Sequence, residues 1–226
     1  MTQAPVSSQS KTRVVVLISG SGSNLQALID NWKNGDLPIE LVAVISNRPD
    51  VLGLERATKA NIPALVLDHK GFADRLSFDT ALMETIDSFN PDLVVLAGFM
   101  RILTPEFTQH YLGKMLNIHP SLLPNYQGLH THQRVLDAGE SQHGVTVHFV
   151  TAELDGGPAI LQAVVPILAS DDATILAKRI QRQEHIIYPL AVKWFAQGDI
   201  QMIDGKTLLK GELLPPSGYQ IYSEEP

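Results

Sequence analysis

Asn117 and His119 stand two residues apart in the stretch NIHPSLLP, directly after the apolar pair Met115–Leu116. Residues two apart on an extended strand point to the same face, and Pro120 disfavours helical dihedrals at His119. The spacing therefore predicts an amide and an imidazole side by side at the end of a strand. Such a pair can polarise a carbonyl group and move protons.

A carboxylate would complete this chemistry, and Asp155 in the segment ELDGG is the best candidate because the surrounding region contains few acids. The segment is equally typical of a simple turn aspartate, so spacing alone leaves both interpretations open. A serine nucleophile would require Gly-x-Ser-x-Gly after a strand, which residues 20–23 do not provide. The chain contains no cysteine. These residues favour acid–base chemistry without a covalent enzyme intermediate.

The glycine-rich segment SGSGSN, residues 19–24, lies between a predicted strand and a predicted helix. Glycines let the backbone approach an anion, and the helix N-terminus supplies free N–H donors. No Gly-Lys-Ser/Thr follows, as a Walker A loop requires. The third glycine of a dinucleotide fingerprint is missing, and the second strand ends in Ser46-Asn47-Arg48 rather than in an acid for a ribose. The segment predicts a site for a single phosphate, with a flexible turn as the alternative.

Five of the eight histidines lie between residues 119 and 148, and His130 and His132 form a His-x-His pair. Such a pair is typical of metal sites, but no acid stands at ligand spacing beside it, and it is predicted to open a helix. Packed or supporting histidines are the favoured interpretation, and we expect no metal.

The composition narrows the class of protein. The formal net charge of the 226 residues is 17 − 24 = −7, so the chain lacks the basic surface expected of proteins that bind nucleic acid or anionic membranes. No apolar run approaches the roughly 20 residues of a membrane-spanning helix. The absence of cysteine fits a cytoplasmic protein. The polar residues 1–12 indicate a disordered leader, and we expect residues 13–226 to form a single domain.

Apolar β-branched runs alternate with helical patterns over the first half of the chain. This rhythm predicts an α/β fold with a doubly wound, mostly parallel sheet flanked by helices. The sequence predicts a helix over about 173–197, with Asp171 and Asp172 placed to cap it, followed by a hairpin and a proline-rich end. Ligands of such folds bind at the carboxyl ends of the strands, where SGSGSN, FMRIL and IHPSLLP should all meet. The predicted strands cover residues 13–18, 39–46, 63–67, 92–98, 114–118, 144–150 and 159–167.

Several segments together resemble the folate-dependent glycinamide ribonucleotide formyltransferases, from about Arg13 to about Tyr219. The stretch NIHPSLLP is shared with a wider superfamily that includes formyltetrahydrofolate hydrolase and methionyl-tRNA formyltransferase, whereas SGSGSN, GLHTH and QEH point to the glycinamide ribonucleotide branch. The other segments that carry the resemblance are LGLERA, VVLAGFMRIL, GVTVHFVTAELDGGPAILQA and QEHIIYPL.

The resemblance implies a Rossmann-like formyltransferase fold and formyl transfer from 10-formyltetrahydrofolate to the amine of glycinamide ribonucleotide in purine synthesis, with no metal and no ATP. Asn117 would bind the formyl oxygen, His119 would donate and shuttle protons, and Asp155 would hold the charge state of His119 or order a relaying water. The implied nucleotide-binding residues are Gly22, Ser23, Asn24, Gln181 and Glu184. The implied folate-binding residues are Arg75, Met100, Arg101, Ile102, Leu103, Asn117, Thr151, Glu153 and Leu154.

Two positions depart from the family pattern: Ser21 replaces a commoner Asn, and Ala152 replaces an acid found in some members. Both can act through their backbone, so we expect them to affect affinity rather than activity. The expected partners are the two small-molecule substrates, without nucleic acid or membrane, in a monomer or a homodimer. The alternatives are a formyltetrahydrofolate hydrolase and a non-catalytic module that binds a phosphorylated sugar.

Overall fold

The structure, a computed structural model, describes residues 11–223. The predicted leader therefore lies outside the described residues except for Lys11 and Thr12, and Thr12 already belongs to the first strand.

The strands of the structure are β1 (Thr12–Ile18), β2 (Ile39–Ser46), β3 (Ala64–Val66), β4 (Leu93–Leu96), β5 (Met115–His119), β6 (Gln142–Phe149), β7 (Ala159–Pro166), β8 (Ile200–Ile203), β9 (Lys206–Leu209), β10 (Glu212–Leu213) and β11 (Tyr219–Tyr222). Its α-helices are α1 (Ser23–Lys33), α2 (Leu52–Lys59), α3 (Arg75–Asp87), α4 (Pro105–His110), α5 (Thr131–Asp137) and α6 (Ala173–Ala196).

Eight strands form one sheet in the order β11-β7-β6-β5-β4-β1-β2-β3. Strand β6 runs antiparallel to β5 and β7, and the other neighbouring pairs in this sheet are parallel. The predicted doubly wound, mostly parallel sheet is confirmed. A smaller antiparallel sheet joins β8, β9 and β10, and its β8–β9 pair is the predicted hairpin.

Strand β1 shows why the sheet is covered on both faces. Val14, Val16 and Ile18 are fully buried in one hydrophobic cluster that includes residues of α1, α2 and α6. Val15 and Leu17 point the other way, into a second cluster with residues of α3 and α4. Because successive side chains of a strand alternate between faces, a continuous apolar run such as RVVVLI fits only a strand with helices on both sides.

Helix α6 spans the full length predicted for it, and its start differs in one detail. Asp172 caps the helix, because its side chain accepts a hydrogen bond from Ile175 N at 2.7 Å. Asp171 does not cap it. That carboxylate forms a bidentate pair with Arg179, at 2.6 and 2.8 Å, and also accepts from Leu168 N. A paired guanidinium is the stronger partner for a buried carboxylate.

The sequence did not predict strands β10 and β11. Strand β11 pairs in parallel with β7 from Tyr219↔Leu161 to Tyr222↔Val164, so residues 219–222 form one edge of the main sheet. Of the helices within residues 11–223, none combines the length and apolar character needed to cross a bilayer.

Candidate active site

The loops that follow strands β1, β4 and β5 lie at the same edge of the sheet, as predicted, because these three strands are parallel. A cleft opens there beside the end of β5, and Asn117 and Asp155 both line it. Arg101, Ile102, Leu103, Thr151, Glu153 and Leu154 also belong to its wall, together with Leu96, Phe99, Thr108, His148, Val150 and Ala152.

The amide of Asn117 is held by a histidine on the neighbouring strand. Asn117 and His148 are cross-strand partners of β5 and β6, and Asn117 Nδ2 lies 3.2 Å from His148 Nε2. His148 Nδ1 lies 2.8 Å from Phe149 O, which only an Nδ1–H donor can satisfy. His148 Nε2 is then an acceptor for the amide N–H. Burial lowers the pKa of His148 to about 4, so this neutral tautomer persists at pH 7, and the second amide hydrogen of Asn117 remains free to bind a ligand.

His119 lies between two acceptors. Its Nε2 is 3.0 Å from Tyr126 O, and its Nδ1 is 3.5 Å from Asp155 Oδ2. The carbonyl oxygen of Tyr126 requires a donor, so Nε2 carries a hydrogen. The side chains of His119 and Asp155 are each 8% exposed. The contacts therefore place the imidazole beside a carboxylate, with both side chains shielded from bulk water.

The turn that carries Asp155 places its carboxylate between two loops. Asp155 adopts the left-handed conformation, with φ of 50°, and its Oδ2 accepts from Gly128 N at 3.0 Å. Gln127 Nε2 donates to Asp155 O at 3.3 Å. Gly157 has no room for a side chain, because a Cβ there would collide with Phe149 O. Gly157 is thus needed for the turn, and the turn delivers Asp155 to His119.

The predicted nucleotide-binding residues come together from two distant parts of the chain. Asn24 Nδ2 donates to Glu184 Oε2 at 2.8 Å, and Gln181 Nε2 lies 3.3 Å from Ser23 Oγ. Burial raises the pKa of Glu184, and the hydrogen bond from Asn24 lowers it. Gly22 precedes α1 with φ of 70°, and a Cβ there would stand 2.8 Å from the backbone of α2. Glycine lets the loop turn against α2, and no side chain caps the start of α1.

Two of the predicted folate-binding residues lie outside the wall of the cleft. Met100 is 62% exposed, and Arg75 is exposed at the first turn of α3. Neither lines the cleft within the described residues. Their part in folate binding stays a prediction.

Two of the clustered histidines, His132 and His143, form a partly buried pair. His132 Nδ1 and His143 Nε2 are 3.0 Å apart, and His130 is the residue before α5, as the sequence predicts. Burial, helped by the charges of His132 and His119, lowers the pKa of His143 to about 3. Within residues 11–223 no group of three or more His, Cys, Asp or Glu side chains is arranged to hold a metal ion.

Comparison with known proteins identifies the family. A family model described as formyl transferase matches residues 12–192, which include the whole cleft wall and all the predicted nucleotide-binding residues. The chain belongs to the formyl transferase family.

Two relatives of this formyl transferase match nearly its whole length. Phosphoribosylglycinamide formyltransferase of Escherichia coli is 53% identical over 206 residues, covering 91% of this chain and 97% of that protein. The solved structure of phosphoribosylglycinamide formyltransferase from Coxiella burnetii is 49% identical with a TM-score of 0.91, covering 93% of this chain and 99% of that one. The similarity to a formyltetrahydrofolate deformylase from Burkholderia mallei is lower, at 27% identity and a TM-score of 0.80, covering 88% of this chain and 70% of that one.

Sequence reasoning missed two residues of this formyl transferase site. In the sequence His148 stands out only as one of the five clustered histidines, whereas in the structure it contacts Asn117. Tyr126 contacts His119 through its backbone oxygen, so no side-chain pattern indicates its part in the site. His148 could have been found by pairing the predicted strands 114–118 and 144–150 in antiparallel register, which places it opposite Asn117.

Proposed function

We propose that this formyl transferase moves the formyl group of 10-formyltetrahydrofolate to the amine of glycinamide ribonucleotide, a step of purine synthesis. The observation that carries the proposal is the position of two sites at one sheet edge. The loop with Gly22, Ser23 and Asn24 supports binding of a phosphorylated ribose, and the cleft lined by Asn117 and Asp155 supports binding of the formyl donor.

The substrate groups follow from the chemistry of the two sites. Free N–H groups at the start of α1 suit the phosphate, and Glu184 and Gln181 suit the ribose hydroxyls. The cleft has exposed apolar side chains, Ile102 and Leu154, that suit a flat pterin ring. We propose that Arg75 and Met100 contact the outer part of the folate.

The reaction starts with attack of the neutral substrate amine on the formyl carbon. The formyl oxygen becomes an oxyanion as the carbon becomes tetrahedral, and the free N–H of Asn117 stabilises that charge. The bond between this carbon and folate N10 then breaks, and N10 takes a proton while the attacking nitrogen loses one. Free tetrahydrofolate and the formylated nucleotide result.

In this proposal His119 supplies the proton to N10 and takes up the proton that the attacking nitrogen loses. Tyr126 O holds the ring in place, and the Asp155 carboxylate faces its other nitrogen, where a negative charge stabilises the imidazolium. Asp155 lines the cleft, so its carboxylate can order the water that carries the proton from the ring to N10. The tetrahedral carbon receives no covalent bond from the protein.

The second candidate is a hydrolase that passes the formyl group to water, which the similarity to a deformylase favours. Spectroscopic measurement of 10-formyltetrahydrofolate consumption separates the two. We expect turnover only when glycinamide ribonucleotide is added. Equal turnover without the nucleotide would support the hydrolase. Nucleotide binding without any folate turnover would instead indicate the non-catalytic binding module. We further expect a cytoplasmic enzyme, active as a monomer or a homodimer.

A further inference from the structure

Residues 97–104 connect β4 to α4 and are called the cleft segment below. Arg101, Ile102 and Leu103 of this segment line the cleft, yet they lie outside any helix or strand. A segment without regular structure needs other contacts to hold its backbone in one conformation. Two buried polar side chains from elsewhere in the chain provide such contacts, one near each end.

Ser19 fixes the first part of the cleft segment. The residue is 4% exposed, and its Oγ accepts a hydrogen bond from Met100 N at 2.8 Å. The same hydroxyl donates to Asn47 Oδ1 at 2.6 Å, and Asn47 is 2% exposed. Asn47 therefore fixes the orientation of the hydroxyl that receives Met100 N. Ser19 also begins the segment SGSGSN, but among the described residues its hydroxyl has no hydrogen bond with Gly22, Ser23 or Asn24, so its loss should spare the nucleotide site.

Asp79 of α3 fixes the last part of the cleft segment. Its side chain is fully buried, and its Oδ2 accepts from Thr104 N at 2.7 Å. Thr104 in turn caps α4 through Phe107 N. Burial raises the pKa of Asp79, and the hydrogen bonds from Thr104 and the positive charges of Arg101 and Arg75 oppose that rise.

Arg101 is the cleft residue that Asp79 affects most directly. Its guanidinium lies over the ring of Phe78, 4.7 Å from the centroid, next to Asp79 in the chain. Among the described residues, Asp79 Oδ1 and Arg101 Nε are both buried without a hydrogen-bond partner. The carboxylate therefore attracts the arginine across a gap without forming a direct ion pair, while its other oxygen holds the backbone at Thr104.

We infer that Ser19 and Asp79 are positioning residues for the folate co-substrate, because together they set the conformation of the cleft segment from both ends. The inference rests on the proposed function, which assigns the cleft to the folate. Neither residue lines the cleft, so both act through Met100, Arg101 and Thr104. Losing either contact should weaken folate binding and leave nucleotide binding unchanged.

The test measures the two ligands separately by calorimetry, with 5-formyltetrahydrofolate as the folate probe and glycinamide ribonucleotide as the other ligand. Loss of one such buried hydrogen bond corresponds to roughly a 3- to 10-fold change in affinity. We therefore expect Ser19→Ala and Asp79→Ala each to bind the folate probe about 3- to 10-fold more weakly and the nucleotide as the wild type does. Asp79→Asn keeps an oxygen for Thr104 N, so it should bind the probe more tightly than Asp79→Ala does.

Asp92→Ala is the matched control. Asp92 also accepts a hydrogen bond from a backbone N–H, that of Arg13 at 2.8 Å, but at the amino end of β4, at the opposite edge of the sheet from the cleft. Its loss should therefore lower the melting temperature without a selective effect on folate. Equal weakening of both ligands in Ser19→Ala or Asp79→Ala would overturn the inference, as would unchanged binding of the probe. If Asp79→Ala does not fold, Ser19→Ala and Asp79→Asn decide the question. Weaker probe binding in an enzyme that never formylates the nucleotide would refute the proposed function alone.

Discussion

His148 should contribute to catalysis only through Asn117, and a double-mutant cycle can measure that dependence. The perturbations are Asn117→Ala, His148→Leu and the two combined. Asn117→Ala removes the proposed oxyanion donor, which costs about 2.7–4 kcal/mol, or roughly 10²–10³ in turnover. His148→Leu removes the acceptor that orients the amide.

The size of the His148 effect follows from its charge state. Since burial lowers the pKa of His148 to about 4, the 3.2 Å contact with Asn117 joins two neutral groups at pH 7. A neutral hydrogen bond contributes about 0.5–1.5 kcal/mol, roughly a 2- to 12-fold change in rate. If His148 acts only by orienting the amide, His148→Leu has no further effect once Asn117 is replaced.

Single-turnover measurement of formyl transfer at saturating substrates isolates the chemical step for all four proteins. We expect the double variant to be as slow as Asn117→Ala, within about twofold, because contacting residues are not additive. Melting temperatures show whether His148→Leu also disturbs the fold. Losses that simply multiply in the double variant would refute the orienting role. A change confined to KM in Asn117→Ala would make that residue a binding residue and refute the oxyanion role.

Three further predictions concern other parts of the site. Asp155→Asn keeps the shape of the side chain but removes the charge beside His119, so it should bind both substrates and lose most of its turnover; an unchanged rate would make Asp155 a simple turn residue. Asn24→Asp places a negative charge against Glu184 and the substrate phosphate, so calorimetry should show weaker nucleotide binding and intact binding of a folate analogue, whereas equal loss of both would indicate general unfolding. His143 takes up a proton only near pH 3 when folded but near pH 6.5 when unfolded, so its contribution to stability falls as the pH falls below 6.5, by about 2 kcal/mol between pH 7 and pH 5. Between pH 7 and pH 5 the free energy of unfolding, measured with urea, should change by about 2 kcal/mol less in His143→Gln than in the wild type. An identical change in both proteins would show that the folded chain protonates His143 at ordinary pH.

The layered core could be predicted because it depends on local patterns. The runs 39–46 and 159–167 are apolar and β-branched, and β2 and β7 lie where those runs predict them. The strand-ending loops could be placed at one edge because the carboxyl ends of parallel strands meet there. Two of the residues proposed for the nucleotide site, Asn24 and Glu184, are 160 positions apart and still contact each other; only the family resemblance linked them in advance.

The features that escaped prediction depend on long-range pairing or on the backbone. Strand β11 is short and partly exposed, and it exists because the open edge of β7 accepts it. The contact of Asn117 with His148 depends on the register of β5 against β6, which no local pattern specifies. Asp171 does not cap α6 as predicted, because Arg179 of the same helix is a stronger partner for its carboxylate.

In the proposed reaction the formyl carbon moves directly from folate to the substrate amine. The most direct test supplies 10-formyltetrahydrofolate labelled with carbon-13 in the formyl group and follows the label by NMR in the presence of glycinamide ribonucleotide. We predict that the label appears in the formamide of the nucleotide product at the rate at which tetrahydrofolate forms. Label recovered as free formate at that rate, with the nucleotide unchanged, would contradict the account.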